Sequence, residues 1–256
     1  MTIRDWVVCP KKKSDASIRL FCFPYAGGGC SAFRSWVEEA GHDLELCFLQ
    51  YPGRENRIRE QPIARLAELV PLLASGMTSW LDRPFGFYGH SLGGRIAFET
   101  ARELRRRRSR GPACLFVGAS HAPQLRWPYP PLHAMDEGPF LEGMQERYGG
   151  VPKQILDDPE MRALLIPTLR ADVAMLETYA YTAEPPLDCD ITVFGGNTDR
   201  TVERPALEAW KDQTRGAFRF HALSGGHFFL QTARRELLST IQADLSLNPL
   251  ITSESR

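Results

Sequence analysis

The sequence predicts an α/β fold: a mostly parallel central sheet flanked by helices, with an inserted helical lid. Three observations predict it. Short β-type runs alternate with stretches whose apolar residues recur at helical spacing. Several of these runs are apolar throughout, as strands buried on both faces must be. Between residues 124 and 187 the alternation stops, and no strand is available there to join a sheet. A chain of 256 residues can bury one full core, so the pattern reads as a single domain, 1–256, with 124–187 as the lid.

The elements follow in order. Ile18-Arg-Leu-Phe-Cys-Phe23 is a strand that ends in Pro24-Tyr25-Ala26-Gly27-Gly28-Gly29, a loop by composition. Leu44 to Gln50 is a second strand, closed by Tyr51-Pro52-Gly53-Arg54. Residues 62–82 read as a helix with Leu66, Leu69, Val70 and Leu73 on one face. A short strand at 84–88 precedes a helix at 93–108, where Ile96, Ala97, Thr100, Ala101 and Leu104 keep helical spacing. Strands at 113–118, 191–194 and 218–222 complete the sheet. Within the lid, Trp127-Pro-Tyr-Pro-Pro131 leads into helices at 138–148 and 159–181, the second expected to break or kink at Pro167. Phe140, Leu141, Met144 and Tyr148 share one side of the first.

Composition narrows the function. Lys+Arg and Asp+Glu stand at 31 each, so no global field would recruit nucleic acid or an anionic membrane. The six cysteines are scattered and the N-terminus carries no secretory pattern, which reads as a reduced, cytoplasmic protein with no membrane segment. Arg102, Arg105 to Arg108 and Arg110 form the one charge run. It suits a helix C-terminus, with a docking patch for an acidic partner as the alternative.

The most informative stretch is Gly86-Phe-Tyr-Gly-His-Ser-Leu-Gly-Gly94. A strand ends, Gly-x-Ser-x-Gly follows, and an amphipathic helix begins, which is the pattern of a nucleophile elbow. Ser91 needs a base, because a serine hydroxyl is not nucleophilic near neutrality. His227, in Ser224-Gly-Gly-His227 after the last strand, lies at the same end of the sheet as Ser91. His121 competes from the correct end but precedes the acid, whereas His227 fits the order serine, acid, histidine. Asp199, in Gly195-Gly-Asn-Thr-Asp199, is the acid that would orient the imidazole. The amides of Leu92 and Ala26 are the expected oxyanion donors. No metal-ligand spacing or dinucleotide fingerprint is present, so no cofactor is expected.

These motifs resemble those of stand-alone type II thioesterases of polyketide and nonribosomal peptide assembly lines, over nearly the whole chain. Phe23-Pro-Tyr-Ala-Gly-Gly28, Gln50-Tyr-Pro-Gly-Arg54, Tyr88-Gly-His-Ser-Leu-Gly93, Leu169-Arg-Ala-Asp172, Pro185-Pro-Leu-Asp-Cys189 and Gly225-Gly-His-Phe-Phe-Leu230 carry the likeness. The resemblance implies an α/β-hydrolase fold with a mobile lid and a triad of Ser91, Asp199 and His227. It implies a substrate held as a thioester on the phosphopantetheine of an acyl or peptidyl carrier protein, and removal of short or aberrant acyl groups. Tyr25, Phe140, Met144 and Phe228 are expected to contact the acyl group. Gly94, where the family often has alanine, and Asn197-Thr198, where acidic residues are frequent, depart from its pattern without removing a catalytic group. Animal medium-chain fatty acyl thioesterases share the motifs, and a carboxylesterase or acyltransferase can use the same fold.

Overall fold

The computed structural model describes residues 6–149 and 157–248. Seven strands form one sheet in the order β1-β3-β2-β4-β5-β6-β7. They are β1 (Val7–Val8), β2 (Ile18–Phe23), β3 (Leu44–Leu49), β4 (Phe85–His90), β5 (Cys114–Gly118), β6 (Asp190–Gly196) and β7 (Phe218–Leu223). From β3 to β7 every pairing is parallel, and β1 alone runs antiparallel, with Val7 opposite Leu49. The edge strand β1 is absent from the sequence expectation, because two residues carry no periodicity.

Alternate strand residues serve two cores. Phe21, Phe23, Phe85 and Phe87 pack with α1 (Leu66–Met77) and α2 (Leu92–Arg106) on one face. Leu20, Cys22, Tyr88 and Phe116 pack on the other against a 3₁₀ turn (Cys30–Trp36) and the C-terminal helix. This period-2 division sandwiches the sheet between helices, and the parallel pairing of β2 to β7 holds their C-termini at one end. The helix expected over 62–82 is shorter, because Arg65 is extended at φ −126 and ψ 128.

After β5 the chain leaves the sheet. It forms α3 (Glu137–Tyr148) and α4 (Pro159–Glu177), and residues 150–156 of the predicted lid lie outside the described residues. Leu132, Phe140, Leu141, Met144, Ile166 and Val173 make a separate small core between these helices. Pro167 does not break α4, contrary to expectation. Pro167 and Ala163, four residues before it, are both exposed, so water can serve the carbonyl that the proline leaves unbonded. Short helices α5 (Arg204–Glu208) and α6 (Phe229–Thr232) and the longer α7 (Arg234–Leu247) complete the chain.

Candidate active site

The β4–α2 turn forces Ser91 to a positive φ, at φ 54 and ψ −117, rare for a non-glycine residue. Its flanking glycines let the strand, the turn and the helix start meet. A Cβ on Gly89 would lie 2.2 Å from the Gly93 carbonyl oxygen, and one on Gly93 would lie 2.1 Å from that of Phe23. The Ser91 amide donates to Gly118 O at 2.7 Å, tying the turn to β5. Strain of this kind persists only where the surroundings enforce it, and here it places Oγ at the start of α2.

The loops after β6 and β7 bring the other two groups. His227 Nε2 lies 3.0 Å from Ser91 Oγ, and its Nδ1 lies 3.0 Å from Asp199 Oδ2. Burial works to raise the Asp199 carboxyl, but bonds from His227 and Thr201 outweigh it and hold the group below the ordinary carboxylate range. The ring of His121, the competing base, stands edge-on to Trp127 and Tyr129, and burial, with Arg95 nearby, pushes it down to about 4. The geometry joins Ser91, His227 and Asp199 as the chain order predicts.

Two supporting residues escape the sequence reading. Thr201 donates its hydroxyl and its amide to Asp199 Oδ1, at 2.6 and 2.8 Å, and its oxygen lies 2.8 Å from His227 Nδ1. An Asp followed two residues later by a threonine was the available signal, since Asp side chains bond the backbone two residues on. His90 points away from Ser91 but is not idle. Its Nε2–H donates to the His227 carbonyl at 2.7 Å, while Nδ1 lies 3.0 Å from the Tyr88 hydroxyl.

Burial, aided by His227, pushes His90 down to about 3 from 6.5. Below pH 6.5 the unfolded chain therefore takes up protons that folded His90 and His121 refuse. Stability falls as the pH drops, by up to about 1.4 kcal/mol per pH unit for each histidine. Thermal midpoints measured from pH 7.5 to 4.5 should show this decline, and His90→Gln should flatten part of it.

A cavity of about 220 Å³ opens beside Ser91. Tyr25, Ala26, His227 and Phe228 line its catalytic end, and Met144, Leu165, Leu169 and Val173 from α3 and α4 supply an apolar wall. Neither the Ala26 nor the Leu92 amide is spent on the backbone bonds of the turns around it. Phe140 corrects the expectation. It is fully buried in the lid's own core under the Arg170 guanidinium, 4.3 Å from its ring centre, and is not part of the cavity wall. Met144, one helical turn on, reaches both. Met144→Ala should therefore shift chain-length preference as well as lower stability, whereas Phe140→Ala should cost about 3 kcal/mol or more of stability and leave chain-length preference unchanged. Parallel chain-length series and denaturant titrations check the pair.

Four arginines of the run are spent inside the molecule. Arg102, Arg105 and Arg106 all pair with Glu184, and Arg106 and Arg107 with Glu103. The run sits at the far end of α2 from Ser91, about 20 Å away at 1.5 Å per residue. Among the described residues, Cys9, Glu45 and Cys47 alone lie close enough to share a metal ion, near the N-terminal ends of the strands. Glu45 is already taken there, by the Arg19 side chain and the Lys13 amide.

The chain matches the thioesterase domain family over residues 18–245. It is 38% identical to the gramicidin S biosynthesis protein GrsT of Aneurinibacillus migulanus, covering 96% of this chain and 95% of that one. It is 33% identical to the human medium-chain S-acyl fatty acid synthase thioesterase, covering 90% and 87%. Among solved structures it superimposes on RedJ, a thioesterase from the prodiginine biosynthetic pathway in Streptomyces coelicolor, with a TM-score of 0.84. That match has 34% identity and covers 93% of this chain and 90% of that one. The strained serine and the parallel sheet that presents it are thus those of an α/β-hydrolase, and the chain belongs to the thioesterase family, as a thioester hydrolase.

Proposed function

We propose that this enzyme hydrolyses acyl thioesters on the phosphopantetheine arm of acyl or peptidyl carrier proteins, through an acyl-enzyme on Ser91. The relatives in gramicidin S and prodiginine biosynthesis favour an editing role that removes short or aberrant acyl groups. One observation carries the mechanism: Ser91, His227 and Asp199 form a continuous chain of 3.0 Å contacts at the end of an apolar cavity.

His227 Nε2 takes the Ser91 hydroxyl proton as Oγ attacks the thioester carbonyl. The Ala26 and Leu92 amides receive the oxyanion, and the N-terminus of α2 adds its positive dipole end. Collapse breaks the C–S bond, and the thiol leaves with the proton held by His227. Water then repeats the sequence, releasing the acid and restoring Ser91. Asp199, fixed by Thr201, keeps Nδ1 protonated and Nε2 free to accept. No cofactor enters, and the enzyme works in the cytoplasm on carriers made there. No helix among the described residues is long and apolar enough to cross a membrane.

The carrier should supply binding energy remote from the reacting bond. Acyl-carrier substrates should therefore show a higher kcat/KM than the same acyl group on free pantetheine. Equal efficiency on both would overturn the carrier assignment. Because Arg106 and Arg107 are internally paired and the run lies far from Ser91, changing Arg106, Arg107 and Arg108 to serine should leave that preference unaltered. A chain-length series separates the editing reading from a medium-chain fatty acyl thioesterase: the first requires acetyl and other short groups to be turned over efficiently, and the second requires them to be poor.

A further inference from the structure

Two motifs, Gln50-Tyr-Pro-Gly-Arg54 and Leu169-Arg-Ala-Asp172, have no place in the mechanism above, yet they meet beneath the oxyanion loop. Asp172, on α4, is fully buried, and Arg54 is only 4% exposed. The two pair by parallel bonds, Arg54 Nη2 to Asp172 Oδ1 at 2.7 Å and Nη1 to Oδ2 at 2.8 Å. Each also holds the loop that carries Ala26. Asp172 Oδ2 accepts from the Gly27 amide at 2.7 Å, and Arg54 Nη1 donates to the Gly28 carbonyl at 2.8 Å. On the same face of α4, four residues earlier, Thr168 donates its hydroxyl to the Gly53 carbonyl, so the helix grips both loops.

The loop is a tight turn with two alternatives. Gly28 N–H bonds Tyr25 O at 2.9 Å, and Gly27, the third residue, sits at φ 75. This is the type II pattern, and flipping the peptide between Ala26 and Gly27 would convert it toward type I. The flip would point the Ala26 carbonyl where the Gly27 N–H now meets a carboxylate, oxygen against anion. The Asp172 charge opposes that flip, and Arg54 neutralises the charge that does so. The Ala26 N–H belongs to the preceding Tyr25–Ala26 peptide, and the same bonds position it by fixing the Gly27–Gly28 end of the turn that carries it.

We propose that Arg54 and Asp172 are positioning residues which hold the Ala26 amide in oxyanion-binding geometry, and that α4 thereby couples lid placement to catalysis. An enzyme whose α4 is displaced would lose the loop's anchor and one oxyanion donor together. Thioester hydrolysis would then be confined to the closed arrangement, in which the acyl chain already lies against α4. The proposal rests on the Ser91 and Ala26 roles given above.

Asp172→Asn, Arg54→Lys and the apolar double variant Arg54→Met/Asp172→Leu test it. The readouts are kcat and KM on a short acyl-pantetheine, thermal midpoint, and affinity for the matching alkyl trifluoromethyl ketone, whose adduct with serine carries the oxyanion. Loss of one oxyanion donor costs about a hundredfold or more in kcat. Asp172→Asn and the double variant should lose that much, with ketone affinity falling by the same factor and KM moving less than about threefold, because the missing contact is made only to the transition state. The double variant separates positioning from burial of an unmatched charge, since replacing both ions with apolar groups removes that penalty. It should melt near the wild type and still be slow. Arg54→Lys keeps the charge without the fork and should lose about tenfold in kcat; it remains decisive if the others fold poorly.

Wild-type kcat in the double variant or in Arg54→Lys would overturn the proposal, as would losses confined to KM with ketone affinity unchanged. Covalent ketone binding that survives Ser91→Ala marks a failure of the nucleophile assignment, whereas wild-type behaviour of the paired variants marks a failure of the clamp alone.

Discussion

Ser91→Ala and His227→Ala should each reduce kcat by about ten-thousand-fold or more while leaving the fold and KM nearly unchanged. The size follows from the way the groups act. Without the His227 imidazole 3.0 Å from Oγ, the hydroxyl keeps its proton, and without Oγ the imidazole has no nucleophile to activate. The double variant should be scarcely slower than either single one, because the residues work as a unit. Asp199→Asn should fall below the wild type by a similar order, since an amide can donate to Nδ1 and so favour the wrong tautomer. His121→Ala should keep most of the activity. Steady-state kinetics on a carrier-free thioester, with circular dichroism to check folding, measure all of these. Near-normal turnover in His227→Ala together with loss in His121→Ala would reverse the assignment of the base.

The second large effect is structural. Gly93→Ala and Gly89→Ala should each cost about 3 kcal/mol or more, enough to threaten folding of a marginally stable domain. At both positions the added carbon would meet backbone, 2.1 Å from the Phe23 oxygen and 2.2 Å from the Gly93 oxygen, so relief requires moving a strand or a helix start. Gly94→Ala offers the contrast. Its Cβ would lie 3.0 Å from side-chain carbons of Ser120 and Val117 and 3.3 Å from the Gly89 oxygen, contacts that shifts of a few tenths of an ångström relieve, and alanine in the first turn of α2 restricts the unfolded chain more than glycine does. Urea unfolding of the three variants should therefore rank Gly94→Ala well above the other two. Comparable stability for Gly93→Ala would mean that the elbow is looser than these distances allow.

Much of the site was legible in the sequence because its signals are local. Gly89-x-Ser91-x-Gly93 reports a steric requirement within five residues, and Asp199 and His227 each follow a recognisable strand at the end of the sheet where Ser91 sits. The unread parts depend on distance in the chain. Thr201 and His90 act on His227 from another loop and from the end of β4, and Arg54 meets Asp172 across 118 positions. Phe140 and Met144 illustrate a further limit. Helical spacing assigns both to one apolar face, but a lid helix has apolar neighbours in its own core and at the cavity, and periodicity does not say which of the two a residue meets. The arginine run shows the same limit for charge, since its carboxylate partners Glu99, Glu103 and Glu184 come partly from a segment some 80 residues away.

Trapping the acyl-enzyme is the most direct test of the central claim. Wild-type enzyme mixed rapidly with an acyl-carrier substrate and quenched in acid, then digested and weighed by mass spectrometry, should carry the acyl mass on the peptide containing Ser91. The adduct should appear before the free acid and be missing from Ser91→Ala. Release of acid with no adduct at any time, accompanied by turnover that persists in Ser91→Ala, would contradict it.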